Sequence, residues 1–282
     1  MISSSRTCCI TGTAGYVGAC MVRYFLSHGW RVIELNRCGM VKAGGSEARA
    51  YKLGDPFPTD LIEIKALVHV AYDFTPSCWN DINEINVLGT KKLFYSAHDA
   101  GVEKLIYISS MSSFDQCHSL YGKAKLQSES HVRHVGGISV RPGLIYDENQ
   151  PGGMVGKLNA LISMLPVIPL PGNGKNILYF THQEDLCHII ENYASACTKS
   201  PEGYITTCNS TPWMFKDILK ELALRKNRRI ALIPTPWQFS WIALRVFEFF
   251  GINISFKSDN LVGLLKFDAK PLFSHQDRFR KF

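Results

Sequence analysis

Thr11-Gly12-Thr13-Ala14-Gly15-Tyr16-Val17-Gly18 follows an apolar, β-prone run, Cys8-Cys9-Ile10, and precedes a helical pattern that continues to His28 and stops at Gly29. The three glycines, spaced G-x-x-G-x-x-G, therefore fall on a strand-to-helix turn, the context that a dinucleotide cradle requires. Glycine permits the tight turn, the close approach of backbone to a pyrophosphate and the close packing of helix on strand. The unpaired N–H groups at a helix start attract the anion. Gly12, Thr13, Ala14, Gly15, Tyr16, Val17 and Gly18 are the expected phosphate-binding residues.

Outward from this turn, short apolar runs alternate with helical patterns. Strands are predicted at Cys8–Thr11, Arg31–Leu35, Ala66–Ala71, Lys104–Ser109 and Ile138–Arg141, and helices at Val17–His28, Val87–Ala100 and Tyr121–Val135. That alternation predicts an α/β fold, a Rossmann-type doubly wound parallel sheet built by right-handed crossovers. After Tyr146 the rhythm breaks into the loop-rich stretch Pro151-Gly152-Gly153, Pro166, Pro169 and Pro171-Gly172-Asn173-Gly174. The division expected is a dinucleotide-binding domain over 1–145, rejoined by 176–208, and a smaller C-terminal substrate-binding lobe from 146–175 and 209–282.

An acidic residue about twenty positions past the fingerprint usually holds the ribose 2′-hydroxyl of NAD. Asn36-Arg37 stands there instead, and a guanidinium pairs with a 2′-phosphate that a carboxylate would repel, so NADP is favoured and NAD is the alternative. Glu34 stays a second candidate for the ribose, one or two residues out of register. Asp55, after Tyr51-Lys52-Leu53-Gly54, reads either as an acceptor for the adenine amino group or as a turn aspartate before Pro56.

Tyr121 and Lys125 are four apart and share one helix face. A free phenol titrates near 10, and a neighbouring ammonium is expected to lower that value toward neutrality, so Tyr121 can exchange a proton with a substrate oxygen. Ser110 follows an apolar strand at the carboxyl end of the sheet, where ligands bind, and its hydroxyl can hold the same oxygen. Ser109, Ser112 and Ser113 compete for that role.

With these residues in place the chain resembles the extended short-chain dehydrogenase/reductase superfamily, specifically the NAD-dependent epimerase/dehydratase family, which acts largely on nucleotide sugars. Beyond the glycine turn the resemblance rests on Leu67-Val68-His69-Val70-Ala71, Asn86-Val87-Leu88-Gly89-Thr90, Ile106-Tyr107-Ile108-Ser109-Ser110, Tyr121-Gly122-Lys123-Ala124-Lys125, Arg141-Pro142-Gly143 and His182-Gln183-Glu184-Asp185-Leu186. It implies that Tyr121 is the general acid/base, that Lys125 holds the nicotinamide ribose and tunes Tyr121, and that Ser110 orients the reacting oxygen. It further implies that Ala71 lines the cofactor channel, that Asn86 supports the site, and that the chain forms a homodimer through its two long helices. His69 reads as a buried structural histidine, and His182 with Asp185 as a hinge fastening the lobe to the sheet. Two departures shape the expectation. Met111-Ser112 replaces the Asp-Glu that the family's dehydratases carry after the Ser/Thr, which disfavours 4,6-dehydration, and the interval from Ser110 to Tyr121 is short.

The function expected is NAD(P)-dependent hydride transfer on a nucleotide sugar, leaning to keto-sugar reduction. A reductase of hydrophobic ketones or aldehydes and a non-catalytic NADP-binding protein are the alternatives. With 282 residues, 46% hydrophobic and 20% charged, the chain can bury a full core. The net charge of +7 concentrates only at Arg225-Lys226-Asn227-Arg228-Arg229, which reads as a solvated helix end and gives no nucleic-acid footprint. Nine cysteines without Cys-x-x-Cys or zinc spacing point away from a metal and toward a reducing cytoplasm. Met1-Ile2-Ser3-Ser4-Ser5-Arg6 lacks the order of a signal peptide. Trp237–Phe250, interrupted by Arg245 and Glu248, falls short of the ~20 residues a membrane span needs. It reads as an amphipathic helix packed inside the C-terminal lobe, with a membrane surface as the alternative.

Overall fold

The computed structural model describes residues 6–196, 203–250, 256–265 and 279–282. Residues 1–5, on which the signal-peptide reading rests, lie outside them. In the first half β1 (Thr7–Thr11) leads into α1 (Tyr16–Ser27), followed by β2 (Arg31–Asn36), β3 (Glu47–Ala50) and β4 (Ala66–His69). Then come α2 (Trp79–Ile82), a π-helical turn (Asn83–Leu88), α3 (Gly89–Asp99), β5 (Lys104–Ile108), α4 (Leu120–His134) and β6 (Ile138–Pro142). The second half holds β7 (Leu144–Tyr146), α5 (Gly153–Met164), β8 (Val167–Pro171), β9 (Ile177–Leu178), β10 (Phe180–His182) and α6 (Gln183–Ser195). It continues with β11 (Tyr204–Thr207), β12 (Trp213–Met214), α7 (Phe215–Arg225), β13 (Ala231–Thr235), α8 (Trp237–Phe249) and α9 (Ser258–Leu265).

Seven parallel strands form one sheet in the order β11-β6-β5-β4-β1-β2-β3. The order reverses between β1 and β4, and this switch point opens a crevice at the strands' carboxyl ends. Both faces are covered, so the central strands are apolar throughout rather than alternating. Cys8, Ile10 and Val32 pack on Met21 and Phe25 of α1 and on Leu186 and Ile190 of α6. Cys9, Ile33, Leu35 and Leu67 pack on Leu93, Phe94 and Ala97 of α3 and on Val132 of α4. A third core joins Val155, Leu158 and Ile162 of α5 to Ile218, Leu219 and Leu222 of α7 beneath three two-stranded ribbons, β10-β7, β12-β9 and β13-β8.

Two expectations need correction. The helix predicted from Val87 begins at Trp79, because the polar run Asn80-Asp81-Ile82-Asn83-Glu84 hides its first turns and the backbone widens there into a π turn. The third strand expected to end at Tyr51–Gly54 stops at Ala50, and its run Glu47-Ala48-Arg49-Ala50 is a half-exposed edge with no apolar stretch to delimit it. Among the described residues no helix is long and apolar enough to cross a membrane.

Candidate active site

The glycine turn is built by exclusion. Gly12 sits at φ +71°, and a Cβ there would lie 2.8 Å from the Ala71 nitrogen, so β1 and β4 approach at the crevice only because no side chain intervenes. A Cβ on Gly18 would lie 2.3 Å from the Gly12 carbonyl, which ties the first turn of α1 to the loop. Gly15 caps α1 without a side-chain bond and no acid occupies the first turn, so the helix's leading N–H groups stay available to an anion. This donor set fits a pyrophosphate. Thr13 is buried, whereas Ala14 and Gly15 form the exposed rim. The Tyr16 ring lies against Gly152, where a Cβ would come within 2.2 Å of it, and its buried hydroxyl has no partner among the described residues.

Ala71 is held in place by a polar chain. The Thr11 hydroxyl oxygen accepts the Val70 and Ala71 N–H groups at 3.1 Å each and lies 2.7 Å from His69 Nδ1. Thr90 donates its own hydroxyl to the Asn86 carbonyl, so the 3.1 Å contact with His69 Nε2 makes that nitrogen the donor. His69 Nδ1 therefore accepts from Thr11. Burial, reinforced by the Lys125 charge, pulls the His69 pKa to about 3, so the ring is neutral and structural. Asn86 clamps the next segment by accepting the Asp73 N–H and donating to the Asp73 carbonyl.

At the adenosine end, Glu34 Oε1 accepts the Lys42 and Ala43 N–H groups and the Ser46 hydroxyl, which holds the loop beyond β2. Burial raises its pKa, but the Ser46 and Thr13 hydroxyls and these N–H groups outweigh it and leave the carboxyl below its ordinary value. Glu34 is thus a loop anchor. Asn36 donates to Met40 O and to Thr13, fastening the end of β2 to the glycine loop, and Arg37 beside it is exposed. Asp55 is exposed and its Oδ2 accepts the Lys52 N–H, the geometry of a turn aspartate.

On α4, Ser119 caps the Gly122 N–H, while Asp259 of α9 accepts the Leu120 and Tyr121 N–H groups at 2.8 and 3.0 Å. The Ser110 hydroxyl lies near enough to the Tyr121 phenol to lower its pKa, and its oxygen accepts the Ser112 N–H at 3.1 Å. Of the competing serines, Ser109 is turned to Glu129 and the buried Ser113 hydroxyl has no partner among the described residues. Lys125 lies one turn behind Tyr121, donates to Ile108 O at 2.7 Å, and has its ammonium 5.8 Å from the Tyr121 ring centre and 4.6 Å from that of Tyr107. Behind it, Arg141 grips Glu129 at 2.6 and 2.8 Å and lies over the Tyr204 ring.

The expected lowering of the Tyr121 pKa is not what this arrangement gives. Burial lifts the phenol to about 12 despite the lowering influence of the Ser110 hydroxyl, and burial likewise pulls Lys125 down to about 7, against Glu129. The reason is the cover over the pair. Tyr72 meets Tyr121 edge-on at 5.0 Å and Phe74, itself 55% exposed, stacks on it at 5.8 Å, shielding the ring from part of the solvent. Lys257 donates to the Phe74 carbonyl and the Lys157 ammonium stands 5.9 Å from the Phe74 ring, so two cations flank the mouth, with Asp73 beside Lys257. Sequence reasoning missed Tyr72, Phe74, Lys157, Lys257 and Asp259. The aromatic pair directly after the Ala71 block was the signal available for two of them. His182 caps α6, and Arg280 bonds His182, Glu184 and Asp185 there. Among the described residues no group of three His, Cys, Asp or Glu could hold a metal ion.

A sequence profile of the NAD dependent epimerase/dehydratase family matches residues 8–205. The chain belongs to that family. Solved structures with this fold include MoeE5 in complex with UDP-glucuronic acid and NAD, at a TM-score of 0.70 and 20% identity over 82% of this chain and 85% of that one. The UDP-glucose 4-epimerase of Thermotoga maritima with UDP-glucose aligns at 0.67 and 15% identity over 92% and 96%. TunA, an NAD-dependent NDP-hexosamine 5,6-dehydratase of tunicamycin biosynthesis, aligns at 0.69 and 18% over 82% and 84%. A Synechocystis sp. protein provisionally named dihydroflavonol 4-reductase is 32% identical over 113 residues, which span 37% of this family member and only 32% of that relative.

Proposed function

We propose that the chain is an NAD(P)-dependent reductase or epimerase of a nucleotide sugar, leaning to reduction of a keto sugar. The observation that carries this reading is the Ser110 hydroxyl facing the Tyr121 phenol, with Lys125 one turn behind, just past the carboxyl end of β5, in a fold whose glycine turn leaves the start of α1 uncapped. Bound nicotinamide would supply or accept the hydride. Ser110 holds the reacting oxygen, Tyr121 Oη exchanges the proton there, and Lys125 binds the nicotinamide ribose. Gly12, Thr13, Ala14, Gly15, Tyr16, Val17 and Gly18 take the pyrophosphate, with Ala71 and Asn86 shaping the channel and Arg37 supporting NADP over NAD. Asp55 keeps one carboxylate oxygen for the adenine amino group. Lys157 and Lys257 suit a diphosphate at the mouth, and MoeE5 and the Thermotoga epimerase, which carry the same fold, were solved with UDP-sugars. Met111-Ser112 after Ser110 speaks against 4,6-dehydration. Residues 1–145 with 176–208 serve as the cofactor domain and 146–175 with 209–282 as the substrate lobe, in a homodimer joined through α3 and α4.

A second reading, reduction of a hydrophobic ketone or aldehyde, draws on the Tyr72 and Phe74 rings over Tyr121 and on the Synechocystis relative. Oxidation of NADPH followed by absorbance, with UDP-, GDP- and dTDP-4-keto sugars set against a panel of aromatic ketones, separates the two. Turnover with a keto sugar that falls ~10²-fold or more in Tyr121→Phe while coenzyme binding persists is expected. Turnover with aromatic ketones alone would replace the first reading by the second, and binding without turnover of either class would make the chain a coenzyme-binding protein.

A further inference from the structure

Two sequence motifs take no part in hydride chemistry, the basic run Arg225–Arg229 and the apolar segment Trp237–Phe250, and the fold brings them to one surface of the lobe. α8 begins directly after β13, with Pro236 as its cap, and packs on β8. Ala231 pairs with Val167 and its N–H bonds Pro166 O at 2.9 Å, so Arg228 and Arg229, just ahead of β13, stand beside the start of the strand on which α8 packs. The helix was expected inside the lobe, but only one of its faces is. Trp237, Trp241 and Leu244 are half-buried against the lobe, while Phe239, Ile242 and Val246 on the opposite face are 69%, 51% and 45% exposed, with Phe247 beside them. At the start of β8, Met164 is 76% exposed and Leu165 and Val167 are open to solvent as well. A helix apolar on both sides normally lies between two apolar layers, and here one layer is solvent.

The charges at the rim decide what covers it. Arg225 is held by Glu221 and lies over the Phe282 ring, but Lys226, Arg228 and Arg229 are exposed and make no ion pair among the described residues. A second copy of a chain already at +7 brings net positive charge, and no anionic surface, to this basic rim. An anionic bilayer matches both parts, since its headgroups attract the cations and its acyl boundary accepts the apolar stripe. We propose that this face of the lobe docks on an anionic lipid membrane surface, with α8 lying in the plane of the interface and Lys226, Arg228 and Arg229 at the headgroups. This places the enzyme at a membrane without a span and is independent of the substrate assigned above.

Cosedimentation of the full chain with vesicles tests it, comparing pure phosphatidylcholine with phosphatidylcholine containing about one third phosphatidylserine. Binding to the mixed vesicles only, weakening as salt rises, is expected. Phe239→Glu with Val246→Glu lowers it by roughly tenfold or more. Lys226→Glu, Arg228→Glu and Arg229→Glu together lower it on the order of 100-fold. Both sets alter exposed side chains away from the crevice, so melting temperature and coenzyme binding stay as in the parent. A parent chain that remains in the supernatant with both vesicles overturns the proposal, as do Phe239→Glu/Val246→Glu variants that sediment unchanged. Sedimentation equilibrium showing a dimer that Phe239→Glu dissolves would assign the face to a second copy instead.

Discussion

Lys125 makes the stability of the ligand-free protein depend on pH in a direction that can be worked out. Burial pulls its ammonium from 10.5 to about 7, with Glu129 pulling the other way. Below pH 7 folded and unfolded chains both carry the proton, and the fold bears the full cost of a charge shut away from water. Above pH 7 the folded chain releases the proton while the unfolded chain keeps it to about pH 10, so that cost is progressively relieved as pH rises. Between pH 7 and 9 the relief amounts to about 2 kcal/mol. Other groups work against it over the same range, because burial lifts the Cys8, Cys9 and Cys208 thiols, whereas in the unfolded chain they ionise near 8.5. The clean quantity is therefore a difference. Urea unfolding of the parent and of Lys125→Met, followed by tryptophan fluorescence at pH 7, 8 and 9, should show the parent gaining about 2 kcal/mol relative to the variant, since the thiols are common to both. A difference that stays level with pH would mean that Lys125 keeps its proton throughout, and the reasoning that the Tyr72 and Phe74 cover shields this site from solvent would be refuted.

Gly18→Ala forces a methyl to within 2.3 Å of the Gly12 carbonyl, so it should cost about 1–3 kcal/mol in thermal or denaturant unfolding and abolish coenzyme retention, read by mass spectrometry of the gently purified protein. Glu129→Ala leaves the Arg141 guanidinium buried without its carboxylate and should destabilise the chain by about 3–5 kcal/mol, measured by its urea midpoint.

What the sequence made legible was whatever local physics enforces. A glycine triplet between a strand and a helix has few other uses, and Ser110, Tyr121 and Lys125 come close together because they sit just past the end of a strand and in the first turns of a helix. The alternation of apolar runs with helical patterns likewise announced the parallel sheet. Features made by distant segments were hidden. Nothing about Asp259 in a run of Ser258-Asp259-Asn260 says that it will reach α4, and nothing about Phe74 in a polar loop says that its ring will lie on Tyr121. The pKa expectation failed for the same reason: an ammonium beside a phenol is a local fact, but the water excluded around both is set by residues brought in from elsewhere. For α8 the sequence predicts an amphipathic helix packed in the lobe or lying on a membrane surface, because composition registers how apolar a helix is and not which of its faces finds a partner.

The bond from Tyr121 to Asp259 joins residues 138 apart in sequence. On a ribosome adding roughly 5–20 residues each second, the helix bearing the phenol emerges many seconds before the carboxylate that finishes its first turn. The nascent chain can assemble its parallel strands during that wait, yet it has no completed site to use. The brace is thus deferred until Asp259 has been made, and a product released early by a stop codon ahead of that aspartate would fold much of its sheet while lacking the brace for its phenol.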